Sequence, residues 1–171
     1  MDRVWPTLVI IAVLGAVIAL MAMGWRARRR RQSAVSRPQA VPDALGPAAL
    51  SIDGYYVATT PSGEPLERIA VHGLGFRSRT TVSVHDEGLV IALRGAATVH
   101  VPTRDLRGVG QATWAIDRVV EKDGLVVVMW MLGSMLVDSY FRVTDRAEAT
   151  ALIAAVADLV SLAEPREGIA S

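Results

Sequence analysis

The first apolar stretch of the chain has no period. Val4 to Trp25 reads VWPTLVIIAVLGAVIALMAMGW, 22 residues without a charge. With no polar face, this is not the amphipathic pattern of a helix lying on a soluble core. At 1.5 Å per residue, a helix of this length spans about 33 Å, enough for a hydrocarbon layer of about 30 Å. Trp5 and Trp25 bracket the run where interfacial tryptophans belong, and Pro6 falls in the first turn, where a missing N–H costs little. A cleaved signal would have its basic residues ahead of a shorter apolar run. Here one small-x-small triplet, Ala22-Met23-Gly24, is present, but the run is long and the arginines follow it. The pattern predicts a retained transmembrane helix over residues 4–25.

Residues 26–50 lose all periodicity. Arginine, proline, alanine and serine dominate, as in a basic linker whose 25 residues would reach about 25–30 Å if flexible. From Gly54 the texture becomes short β-rich runs between turn residues. Strands are predicted at Tyr55–Thr60, Leu66–His72, Thr80–His85, Leu89–Leu93, Thr98–Val101, Leu106–Trp114, Asp117–Glu121, Leu125–Leu132 and Met135–Val143. Thr80–His85 alternates cleanly, with Val82 and Val84 on one face and Thr81, Ser83 and His85 on the other. Leu125–Val137 is too short for a second membrane span and is broken by Gly133-Ser134, so it reads as two buried strands and a turn. No long helix interrupts the strands, which implies antiparallel meanders. The last element is a helix. Asp145 stands at its N-cap, and Ala149, Leu152, Ile153, Val156, Leu159 and Val160 form an apolar stripe. Glu164-Pro165 ends it, leaving a tail at 164–171. The expected core includes Val82, Leu89, Ile91, Val127, Trp130 and the helix stripe.

Meander strands followed by one amphipathic helix describe a mainly-β PH-like barrel over residues 51–163. Tyr56-Val57-Ala58-Thr59-Thr60, Val71-His72-Gly73-Leu74-Gly75-Phe76-Arg77, Val119-Val120-Glu121-Lys122-Asp123-Gly124-Leu125 and Trp130-x-Leu132-Gly133 resemble the actinobacterial one-pass membrane proteins that carry a bacterial PH-like domain. Their genes often lie beside those of pyrimidine biosynthesis. The resemblance covers the anchor and nearly all of the soluble part; it implies a fold and a topology and carries no activity over.

The net charge of +1 hides a split. Residues 1–50 hold seven arginines (3, 26, 28, 29, 30, 31 and 37) against Asp2 and Asp43, whereas residues 51–171 hold eleven basic and fifteen acidic side chains. A mildly acidic domain argues against a nucleic-acid partner. Arg26, Arg28, Arg29, Arg30 and Arg31 flank the C-terminal end of the apolar run, so the positive-inside rule places that side in the cytoplasm, with the N-terminus outside a plasma membrane. The same arginines would attract anionic lipid, at about 1 kcal/mol per basic residue near the surface.

Candidate chemistry is sparse. There is no cysteine, and His72, His85 and His100 fall on separate runs without metal-ligand spacing. No GxSxG or phosphate-cradling glycine loop occurs. No cofactor, small-molecule substrate or enzyme activity is expected. Gly73-Leu74-Gly75-Phe76 matches the carboxylate-binding string of PDZ domains, but the groove helix of that fold is lacking. Glycines, an aromatic and two arginines still make His72–Arg79 the most unusual loop. Phe76, Arg77 and Arg79 are the candidate contacts for a protein partner, unless Phe76 fills the barrel. The resulting expectation is a membrane-anchored, non-enzymatic cytoplasmic binding or scaffold domain. The alternatives are an anionic-lipid sensor or an accessory subunit of a membrane enzyme or transporter. Lipid-sensing PH domains cluster basic residues on their first strands, and Tyr55–Leu66 contains none.

Overall fold

The structure, a computed structural model, describes residues 4–31, 35–112 and 125–163. Residues 1–34 and 35–171 form separate units. The first holds helix α1 (Val4–Arg31), whose stretch Trp5–Ala27 is long and apolar enough to cross a membrane. The helix runs past Trp25 into the arginines, which are good helix formers. The side chains of Arg28, Arg29, Arg30 and Arg31 lie outside the described residues, as do the strand expected at Asp117–Glu121, the end of the one expected at Leu106–Trp114, and the tail at 164–171.

The second unit is a seven-stranded antiparallel sheet followed by one helix. Its strands are β1 (Leu50–Pro61), β2 (Ser78–His85), β3 (Gly88–Leu93), β4 (Val99–Pro102), β5 (Leu106–Ala112), β6 (Leu125–Leu132) and β7 (Met135–Arg142). The helix is α2 (Arg146–Ala163). Their order across the sheet is β4-β3-β2-β1-β7-β6-β5. This is the PH-like architecture expected from the sequence. β1 belongs to both halves. Its first half pairs with β2, from Leu50↔Val84 to Tyr56↔Ser78, and its second half with β7, from Tyr55↔Arg142 to Pro61↔Val137. An irregularity between Tyr56 and Ala58 shifts the alternation, so that Tyr56 and Thr59 are both buried. Gly54 is needed at this junction: a Cβ there would stand 2.8 Å from the Arg142 carbonyl oxygen.

All seven strands and α2 share one core. Val82, Leu89, Ile91 and Trp130 are buried in it as expected, together with Ala149, Leu152, Val156 and Leu159 of the helix. Val127 differs. It is half-buried, and it faces away from the core between Gly110 and Tyr140. Asp145 caps α2 through Oδ1, which accepts the backbone N–H of Ala147 (2.7 Å) and of Glu148 (3.4 Å).

The expected strand at Leu66–His72 is absent; residues 62–77 are a loop. Its apolar residues are still used, since Ile69, Ala70, Val71 and Leu74 are buried. They plug the core without pairing as a strand because β1 has β7 on one edge and β2 on part of the other. Beyond Tyr56, where β2 diverges, that second edge is taken by the loop through Thr59 N–H to Leu74 O (3.1 Å) and Ile69 N–H to Thr59 O (2.9 Å). His72 (φ 58°) and Gly73 (φ 80°) then turn the chain through the left-handed region.

Residues 35–49, read from sequence as linker, lie against the sheet. The His100 amide bonds the Gln39 carbonyl (3.0 Å), and Ser36 abuts the β6–β7 turn at Gly133. His72 Nε2 lies 2.9 Å from the Val35 carbonyl, and His85 Nδ1 lies 2.8 Å from that of Gly46. Since a carbonyl only accepts, these contacts place the His72 proton on Nε2 and the His85 proton on Nδ1. Proline and alanine here belong to a strap held at single points along the sheet, not to a free tether.

Candidate binding face

The loop that carries Phe76 is held from inside. Trp130 Nε1–H donates to Ser139 Oγ (2.9 Å), and Tyr56 Oη–H donates to the Leu74 carbonyl (2.7 Å). An indole N–H only donates and a carbonyl only accepts. The two hydroxyl contacts between them therefore have one direction: Ser139 donates to Thr59 (2.7 Å), and Thr59 donates to Tyr56 (2.6 Å). Burial pushes the Tyr56 phenol well above its usual pKa, opposed by its bond to Thr59 and by the charge of Arg68. The phenol therefore stays protonated and keeps donating to Leu74.

Anchored this way, the loop presents its end to solvent. Phe76 is 60% exposed and so does not fill the barrel. Arg77 and Arg79 are exposed as well. The Arg77 guanidinium stands 5.4 Å from the centroid of the Tyr55 ring, a cation–π contact. Tyr55 is also the register partner of Arg79 on β2 and of Arg142 on β7. Just past β3, the Arg94 amide donates to the Arg79 carbonyl (2.9 Å). Directly opposed residues share a face, so Arg142, Tyr55, Arg79 and Arg94 form one row across four strands, on the side opposite buried Tyr56, Thr80, Leu93 and Phe141. Among the described residues, no carboxylate pairs with any of these arginines or with Arg77. Arg79, Arg94 and Tyr55 help line a groove of about 700 Å³, together with Asp53, Thr81 and Thr144. Asp53 accepts a 2.6 Å hydrogen bond from the Thr81 hydroxyl.

Of the residues singled out from sequence, Arg77 and Arg79 meet at Tyr55, and Phe76 stands exposed beside them in sequence. Tyr55, Arg94 and Arg142 were missed. They come from three strands, and only the pairing register brings them together. A basic cluster therefore exists although Tyr55–Leu66 carries no basic residue. Among the described residues, the other titratable groups make no comparable centre. Among the described residues, no three of His, Cys, Asp or Glu are grouped to hold a metal ion.

Comparison with known proteins gives one family, described as "Bacterial PH domain-like", which matches residues 35–157. No curated protein matches. Among solved structures, a chain of "The 8S snRNP Assembly Intermediate" is similar at 8% identity and a TM-score of 0.49, covering 80% of this chain and 98% of that one.

Proposed function

This chain belongs to the bacterial PH domain-like family, and we propose that it serves as a membrane-anchored, non-catalytic binding module whose working surface is the face around Tyr55. The observation that carries this reading is the set of arginines without a described carboxylate partner: Arg77 over the Tyr55 ring, and Arg79, Arg94 and Arg142 in the same row of the sheet, beside a loop whose Phe76 is exposed. Aromatic and arginine side chains are the types most enriched at energetic hot spots. In this proposal α1 spans the plasma membrane with its N-terminus outside. Arg26 and Arg28–Arg31 lie at the cytoplasmic headgroups beside anionic lipid, and the domain binds a protein partner in the cytoplasm.

The test is proximity labelling from the C-terminus of the full chain, with and without the substitutions Phe76→Ser, Arg77→Glu and Arg79→Glu. All three side chains are exposed, so the melting temperature of the variant in detergent should stay within a few degrees of the parent. Loss of specific neighbours with the fold retained supports the reading; an unchanged set of neighbours overturns it. One observation favours a second reading, contact with anionic lipid. Leu66, at 82% exposure, and Phe76 are apolar tips on the same loop as Arg68 and Arg77.

A further inference from the structure

Resting on the binding-face reading above, we infer that the groove around Tyr55 takes an extended acidic segment of a protein partner, with its carboxylates on Arg79, Arg94 and Arg142. The row supplies the chemistry. A guanidinium is a planar fork that matches a carboxylate in two parallel N–H···O bonds. Among the described residues these arginines meet no carboxylate of their own chain, so a ligand has no ion pair within the described part of the domain to displace. Tyr55, half-buried at the centre of the row, gives the ligand an apolar surface between the charged contacts.

The row also sets the size of the ligand. From β7 through β1 and β2 to β3 there are three strand spacings, about 14 Å at roughly 4.8 Å each. An extended segment of about four residues covers that length at about 3.3 Å per residue. Inorganic phosphate would occupy only one end. A flat anionic bilayer fits less well than a peptide. Arg79 and Arg94 border a concavity of about 700 Å³ whose wall includes Asp53, and residues 51–171 as a whole carry fifteen acidic side chains against eleven basic. A wide negative surface would meet those acidic groups, whereas a narrow segment can stay on the row.

The experiment uses the full chain in neutral detergent micelles and a fluorescein-labelled hexaglutamate peptide followed by anisotropy. Saturable binding that weakens as salt is added is expected. The double variant Arg79→Glu/Arg94→Glu should lose about tenfold or more in affinity, whereas Arg104→Gln, away from the row, should not. The same double variant should now take up a hexalysine peptide that the parent ignores, an outcome an unfolded protein would not give. Absence of hexaglutamate binding, or equal binding by parent and double variant, overturns the inference. So does a parent that ignores hexaglutamate and binds anionic nanodiscs through Arg79 and Arg94. Proximity labelling of the double variant separates the two levels. Lost neighbours without peptide binding would leave the face as a binding site and remove only the acidic class; unchanged neighbours without peptide binding would remove both.

Discussion

Trp130 and Tyr56 stand at the two ends of one buried hydrogen-bonded chain whose direction is fixed at both ends. The indole can only donate, and the Leu74 carbonyl beyond the phenol can only accept, so Ser139 and Thr59 between them each donate one way. The chain ties β6, β7 and β1 to the loop that presents Phe76 and Arg77.

Ser139→Ala should therefore destabilise the domain by about 1–3 kcal/mol, because the Trp130 N–H is left buried without an acceptor. Tyr56→Phe should cost less in global stability. The Leu74 carbonyl still receives the Thr59 amide at 3.1 Å, and the remaining hydroxyls can rotate, which an indole N–H cannot. The phenylalanine variant should act more locally, by speeding amide exchange in residues 69–75. Urea unfolding and hydrogen exchange check both. Equal costs for the two variants would contradict the assigned direction.

Much of the fold was legible from sequence because it depends on local pattern. The apolar run of α1, the alternation of β2, the Gly133 turn and the Asp145 cap are each read within a few residues, and the structure places them where the sequence does. Two features failed for a common reason: they depend on what is already occupied in space. Ile69–Val71 has strand-like residues but no free edge to pair with. Residues 35–49 look like a tether but their carbonyls find donors on His72, His85 and His100. The candidate face was half legible. Phe76, Arg77 and Arg79 are close in sequence, whereas Tyr55, Arg94 and Arg142 join them only through the register of four strands.

Gly54→Ala tests the β1–β7 junction. The added Cβ would meet the Arg142 carbonyl at 2.8 Å, a backbone atom that cannot swing aside. A loss of about 1–3 kcal/mol is expected, and because Arg142 must shift, hexaglutamate binding should weaken in the folded fraction too. A variant with parental stability would mean that the two strands separate there without cost.

The helix stripe is equally direct to test. Leu152 is fully buried between α2 and the sheet. Leu152→Ala should cost about 2–5 kcal/mol, and Leu152→Asp should abolish cooperative melting by burying an unpaired charge. Thermal melts of the full chain in detergent give the answer; an aspartate variant that melts like the parent would detach α2 from the core.

For the anchor, a C-terminal reporter that fluoresces only in the cytoplasm should light up, and an alkaline-phosphatase fusion at the same point should be silent. Neutral replacements at Arg28, Arg29, Arg30 and Arg31 should weaken that preference, since the charge asymmetry rests mostly on them. The reverse pattern would put the domain on the other side of the membrane.

His100 gives the domain a sensitivity to acid. Its ring is buried, and Nε2 has no hydrogen-bond partner among the described residues. Burial pushes its pKa below the ordinary histidine value, aided by the Arg104 charge and by the neighbouring His85, and opposed by Glu87 and Asp105. The folded state thus resists the proton that the unfolded chain accepts at about pH 6.5. From this group, stability is flat above that pH and falls as the pH drops below it. The fall ends only when the folded imidazole itself protonates. His100→Gln removes the titration while keeping a polar side chain. Melting temperatures from about pH 8 to about pH 5 should fall more steeply for the parent than for the glutamine variant. The strap is where that instability should first show, because the His100 amide holds the Gln39 carbonyl and both neighbouring histidines hold the same segment. Amide exchange at residue 100 should accelerate in acid before the strands at the centre of the sheet respond. Parallel pH profiles for the two proteins would remove His100 as the source.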